Sequence, residues 1–264
     1  MDLKESELQS LENETRHPWE LVRMKIVSKM VKELNLQNQN VLRNVLDLGC
    51  GDAYLVFQLS KQFPEINFFA VDTGFTKEQL DFYHSRFAES NIKVYQNIDD
   101  IHNIAEKMDL VLLLDVVEHI EEDENFLINI QKKNILQHEK VFYIITVPAF
   151  QFLFSAHDHF LKHYRRYTNS QLRKLCEKVG LNVLKRGYFF TILLFFRILA
   201  KMKESFLKTE SNEAKGISNW NGNKTMSSFI AFILTLDYLF SKYLLKIGVR
   251  IPGLSTYVIC KKSV

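Results

Sequence analysis

Cysteine, proline and glycine are all scarce in this chain, with 3 Cys, 4 Pro and 9 Gly in 264 residues. Cys50, Cys176 and Cys260 are odd in number, far apart and without C-x-x-C spacing, which excludes a disulfide framework and a zinc ribbon and suits reduced thiols. So little proline and glycine, beside 47% hydrophobic and 25% charged residues, excludes fibrous and low-complexity architectures. Internal repeats are absent. The polar N-terminus MDLKESELQSLENETRH lacks both the apolar core of a signal peptide and the Arg-rich bias of a transit peptide, so a cytoplasmic location is expected. The length suits one α/β domain with an embellishment.

Each half of the chain is short of one sign of charge. Residues 1–150 carry 15 Lys and Arg against 25 Asp and Glu, and residues 151–264 carry 19 against 6, mostly between Lys162 and Lys208. The C-terminal half is the face for an anionic partner, unless its basic helices are merely solvated opposite an acidic domain.

Apolar periodicity predicts a helix over 19–34, with Leu21, Val22, Ile26, Met30, Val31 and Leu34 on one stripe. Short apolar runs then alternate with amphipathic ones: NVLDLGC, AYLVFQLSKQF, INFFAVD, a helix over 77–89, a strand over 92–96, DLVLLLD, a helix over 121–137, and KVFYIITVP. That alternation predicts βαβ units, hence a doubly wound, mostly parallel α/β sheet with helices on both faces. A helix over 170–179 stopped by Gly180, a strand at LNVLKRGYF and a last strand at TYVIC follow. Between those strands, the stretches 189–199 and 229–245 are strongly apolar, with the polar linker 209–224 between them. They read as a helical hairpin. Arg197, Lys201, Asp237 and Lys242 interrupt its apolar character, which favours an interfacial or protein-covering pair over a spanning one.

The sharpest local signal is DLGCGDA at 47–53, between a predicted strand and a predicted helix. Gly49 and Gly51 let the backbone turn tightly beside a ligand, and helix N-terminal amides face it. The spacing departs from the G-x-G-x-x-G of dinucleotide sites, and Asp47 precedes the first glycine by two residues; this favours a ligand bearing an ammonium over a pyrophosphate. Asp72, at the tip of the second strand, suits acceptance from both ribose hydroxyls. Asp99 or Asp100, after the third, suits an adenine amino group, with helix capping the equal alternative.

VLDLGCGDAYL, FFAVD and MDLVLLLDVVEHI, in this order, resemble the cofactor motifs of class I S-adenosylmethionine-dependent methyltransferases over about residues 46–148. The resemblance implies a seven-stranded Rossmann-like sheet and S-adenosylmethionine as cofactor, with S-adenosylhomocysteine as product. It further implies that Asp47 lies near the cofactor's amino-acid end, that Gly49 and Gly51 line it, that Asp72 holds the ribose and that Asp115 and Val116 border the methyl group. The family often has a third glycine where this chain has Ala53, for which closer packing is expected. VPAFQFLFSAHDHFLKHYRRYT and P-G-L-S at 252–255 are similar to a branch of the family with apolar helices before a last strand.

His157, Asp158 and His163 are the catalytic candidates, because they follow a strand's C-terminal edge where open α/β sheets place substrates. An imidazole or carboxylate there suits proton removal from the acceptor, and the neighbouring arginines suit a phosphate or carboxylate on it; anchoring of the loop is the structural alternative. Asp115, Glu118 and His119 would share one face of a helix starting there. Some relatives use such a cluster with a divalent ion, but no metal is assigned.

These readings divide the chain into an N-terminal helical segment (1–40), a methyltransferase core (41–188), an apolar hairpin insertion (189–250) and a last strand (251–264). The expected activity is methyl transfer to an O, N or C nucleophile of an amphipathic or lipid-linked acceptor, with peripheral contact at the inner face of a membrane through 189–250 and no nucleic acid favoured. A non-catalytic nucleotide-binding or membrane-tethering module is the alternative. A nicotinamide-dependent oxidoreductase is disfavoured by the glycine spacing.

Overall fold

The computed structural model describes residues 16–37, 42–101, 107–137, 140–207 and 223–262. Lys208, nearly all of the linker 209–224, the N-terminal 15 residues and residues 38–40 of the Gln/Asn-containing loop lie outside the described residues. In chain order the elements are α1 (Pro18–Gln37), β1 (Asn44–Leu48), α2 (Tyr54–Gln62), β2 (Asn67–Val71), α3 (Lys77–Arg86), β3 (Ile92–Tyr95), β4 (Leu110–Leu114), α4 (Asp123–Gln131), β5 (Phe142–Pro148), α5 (Ala156–Phe160), α6 (Asn169–Lys178), β6 (Leu181–Phe189), α7 (Thr191–Leu207), α8 (Lys224–Lys246) and β7 (Ser255–Lys262).

The seven strands form one sheet in the order β3-β2-β1-β4-β5-β7-β6, parallel except for β7, which runs antiparallel to both neighbours. The apolar strand runs are continuous rather than alternating because both faces are covered. Leu110, Leu112 and Leu114 of β4 pack with Val45, Phe68 and Ile144 on the face that receives α1, while Val111 and Leu113 pack with Leu46, Phe69 and Ile145 on the other. The order reverses between β1 and β4, and the crevice outside those strand ends is where such a sheet binds ligands.

Several predicted elements differ in extent: the helix read over 19–34 runs from Pro18 to Gln37 and the one read over 77–89 ends at Arg86. The helix read over 121–137 ends at Gln131, followed by a 3-10 turn at Asn134–Leu136. The hairpin helices are longer than their apolar runs, and Phe189, read as the start of the hairpin, is the last residue of β6. Among the described residues one helix, α8, is long and apolar enough to cross a membrane.

β5 and β6 end, and β7 begins, at the same sheet edge, since Ser255 is in register with both Pro148 and Phe189. The loop entering β7 is stitched there: Leu254 N–H donates to Phe190 O (3.1 Å) and Ala149 N–H to Leu254 O (2.8 Å). Gly253 sits so close to this junction that a Cβ would fall 2.2 Å from the Phe189 carbonyl oxygen. Because that neighbour is backbone, it cannot swing aside. Gly253→Ala is therefore expected to cost about 2 kcal/mol or more through overpacking, read as a lower urea midpoint with an unchanged slope.

Candidate active site

The turn after β1 needs glycine for two separate reasons. Gly49 has φ 79°, and a Cβ there would lie 2.5 Å from Val116 Cγ2, so a side chain at this position would force Val116 in the loop after β4 to shift. Gly51 has φ 59°, and its N–H donates to Asp72 Oδ2 (2.8 Å), while Gly74 N–H donates to Asp72 Oδ1 (2.9 Å). Asp72 thus ties the glycine turn to the end of β2. Ala53 also adopts a left-handed conformation (φ 57°), fully buried at the start of α2. It takes the strained backbone that a third glycine would take freely and fills the space with its methyl.

A pocket with about 470 Å³ of empty space, part of it open to solvent, lies over Asp47, Gly49 and Cys50. Asp47 is buried, and its Oδ1 has no hydrogen-bond partner among the described residues. Burial pushes its carboxyl up to about 7 despite the opposing charge of Arg23. A buried, unpartnered carboxylate oxygen over a glycine turn fits the ammonium end of an aminoacyl ligand.

The other wall comes from α1 and the residue pair before it. Arg16, Glu20 and Arg23 line the pocket, spaced four and three residues apart and so on one face. Arg16 bonds Asp52, with Glu20 at 3.6 Å, and its guanidinium lies 3.7 Å over the Tyr54 ring. Arg23 Nη1 pairs with Asp115 Oδ2 at 2.7 Å. Sequence reasoning missed these three: it followed the apolar stripe of α1, and the i, i+4, i+7 charged face is the signal that would have found them.

Asp115 has φ 56°, and its Oδ1 accepts from Thr146 Oγ1 (3.0 Å). The chain after it is a 3-10 turn, Val117–His119, and not the α-helix that was to put Asp115, Glu118 and His119 on one face. Asp115 turns to Arg23, and His163 arrives from a distant segment instead. Ligating atoms of Glu118, His119 and His163 lie within 4.8 Å of one another, the one grouping with metal-binding spacing among the described residues. Glu118 is fully buried with neither carboxylate oxygen partnered among those residues, and burial together with the Asp115 charge holds its carboxyl well above the usual range. The His119 and His163 rings meet edge to face at 4.5 Å.

The segment after β5 is organised by Asp158, one of the three catalytic candidates. Its carboxylate is fully buried and accepts from Arg166 Nε (2.8 Å) and Nη2 (2.9 Å), Ser155 N (2.9 Å) and His163 Nδ1 (2.9 Å). With its oxygens engaged by these donors, Asp158 holds His163 and Arg166 together. The arginines read as acceptor ligands are engaged too, Arg166 by Asp158 and Arg165 by Asp123 (2.9 Å) and the Glu121 carbonyl (2.5 Å). His157 lies on α5, outside the Glu118–His119–His163 group. Exposed Asp99 pairs with Lys133 (2.5 Å), and Asp100 Oδ2 accepts from Asn97 N (3.1 Å), as a turn-capping carboxylate does.

Residues 46–133 match the family model of a methyltransferase domain. They form a methyltransferase domain, about a third of the chain. No curated protein sequence matches the chain. Among solved structures, the methyltransferase fold recurs in a putative sarcosine dimethylglycine methyltransferase from Galdieria sulphuraria (14% identity, TM-score 0.53, covering 90% of this chain and 85% of that one). It recurs in the plantazolicin methyltransferase BpumL, solved with a desmethylPZN analog and SAH (13%, 0.53, 92% and 85%). It is found again in coclaurine N-methyltransferase bound to N-methylheliamine and SAH (15%, 0.50, 89% and 70%). At such identities the likeness speaks for the fold alone.

Burial alone would raise the Asp158 carboxyl, but the hydrogen bonds and charges of His163 and Arg166 outweigh it and hold the group far below the usual carboxylate range. A depressed folded-state value contributes stability that is full above the unfolded value, about 3.9, and is lost as pH falls below it. Asp158→Asn, which leaves Arg166 buried without its counter-charge, is expected to cost about 3–5 kcal/mol at neutral pH. Urea titrations from neutral pH down through pH 4 should show the wild type losing this advantage over the variant.

Proposed function

We propose that this methyltransferase moves a methyl group from S-adenosylmethionine to an oxygen, nitrogen or carbon nucleophile of an amphipathic acceptor, leaving S-adenosylhomocysteine. The observation that carries this reading is Asp47, a buried carboxylate with an open oxygen in a pocket at the sheet's topological switch point. Bound S-adenosylmethionine supplies a methyl on a sulfonium, open to direct displacement. Asp47 receives the ammonium. Asp72, whose carboxylate accepts the Gly51 and Gly74 amides at the tip of β2, is the residue that meets the ribose in this reading. Val116, wedged against Gly49, holds the two loops in register around the transferred group.

His163 is the proton acceptor in this reading. Ionised Asp158 can only accept, so the imidazole carries its proton on Nδ1 and Nε2 keeps the basic lone pair. As an O–H or N–H nucleophile bonds to the methyl carbon, its proton passes to Nε2 and the bonding pair of the departing methyl stays on sulfur. Phe152, Phe160 and Tyr164 are exposed along the same segment, and this aromatic rim supports an acceptor with an apolar part.

Titration calorimetry tests the cofactor assignment. Asp47→Asn keeps the size of the side chain but loses one charge-assisted contact, and is expected to weaken S-adenosylmethionine binding about tenfold or more, the equivalent of about 1.5–3 kcal/mol; wild-type affinity would sink it. His163→Asn should leave that titration unchanged while lowering transfer of labelled methyl to an acceptor, found by screening lipid extracts, by about 10² or more. A loss of cofactor affinity in this variant would make His163 structural. Cofactor binding with no transfer across the screen returns the non-catalytic module as the better reading.

A further inference from the structure

Helix α8 buries one face against the protein, through Ala231, Leu234 and Tyr238, and exposes an apolar one on the opposite side. Met226, Phe229, Phe232, Leu236, Phe240 and Tyr243 recur every three or four residues along that outer stripe. Phe195 and Phe196 of α7, with Phe229, Phe232 and Phe240 of α8, are each 58–60% exposed, and bare apolar surface of this kind marks an interaction site where it is contiguous. Lys224 and Lys246, both exposed, stand near the two ends of α8, and exposed Arg250 follows it, so basic residues flank the stripe.

We propose that this face docks on an anionic lipid bilayer, with α8 lying in the plane of the interface. The charge decides between partners. Among the described residues of 189–250 seven Lys and Arg stand against two acids, and one of these, Asp237, is buried, its Oδ2 accepting from Thr191 N (2.8 Å). A second copy would bring two such basic rims together, whereas anionic headgroups neutralise them. The buried face decides the orientation. Asp237 holds the start of α7 and Lys242 pairs with Glu33 of α1, so crossing would carry these groups into hydrocarbon. Lying flat, α8 keeps them against the protein and sinks only its apolar stripe.

The location follows as well. α7 leaves the sheet edge at which β5 ends, and Lys201 Nζ donates to Phe154 O (2.8 Å) in the segment that carries His163. The bilayer would therefore lie beside the side proposed for the acceptor, a consequence that rests on the methyl-transfer reading; the docking itself does not.

Flotation of the full chain with phosphatidylglycerol-containing and pure phosphatidylcholine vesicles tests the docking without any methyl donor. Binding is expected to the anionic vesicles, to weaken at about 1 M salt, where the screening length is about 3 Å, and to be released by alkaline carbonate. Lys246→Gln and Arg250→Gln, both exposed, should each weaken it roughly fivefold. Phe229→Ser with Phe240→Ser should abolish it with an unchanged melting temperature. Indifference to both vesicle types overturns the proposal, as does self-association in solution that the phenylalanine variants disrupt. Resistance to carbonate overturns it in favour of a spanning helix.

Discussion

With β1, β2, β4 and β5 covered on both faces, the peptide groups of these strands are consumed in the ladder, and only the edge where they stop presents polar atoms to a ligand. The rest of the molecule is arranged around that edge. The Gly49 turn and Val116 meet across the switch point with no room for a side chain, so the two loops fix one another. The chain after β5 and the loop entering β7 close on the same rim through the Ala149, Phe190 and Leu254 backbone bonds.

Charge at this edge is nearly all compensated, and the exceptions mark where chemistry is carried. Asp52, Asp115, Asp123 and Asp158 each have an arginine partner. Asp47 and Glu118 are buried with oxygens that find no hydrogen-bond partner among the described residues, one in the loop after β1 and the other in the loop after β4. Uncompensated buried carboxylates are costly, and a fold retains them most readily where a cation or a proton is to be received. Two of the compensating arginines, Arg16 and Arg23, come from α1 and its lead-in, so the N-terminal helix balances the pocket that it walls.

Much of the fold was legible because strand and helix periods are written locally. The runs INFFAVD and DLVLLLD sit in continuous β-strands, and the apolar stripe of α1 is the one the structure buries, apart from half-buried Leu21. The glycine turn was legible for the same reason, since tight backbone geometry admits few residue types. The grouping of Asp115 with Glu118 and His119 was not, because it assumed an α-helix where the chain makes a single 3-10 turn. Nor was the engagement of Arg165 and Arg166, whose partners lie at Asp123 and Asp158, one of them over 40 residues away.

By itself the sequence determined the alternation of elements, the glycine turn, the candidate carboxylates and the presence of two apolar helices before the last strand. Each depends on contacts within a few residues or on a composition that only one backbone shape accepts. Tertiary structure alone decided which carboxylates are paid off by arginines and which stay open, that His163 joins Glu118 and His119, and that the apolar stripe of α8 faces outward. Those outcomes rest on chain crossings of tens to hundreds of residues, such as Glu33 to Lys242, and on the burial that follows from them. Burial sets both the protonation of a carboxyl and the cost of leaving it alone, and no local pattern encodes it.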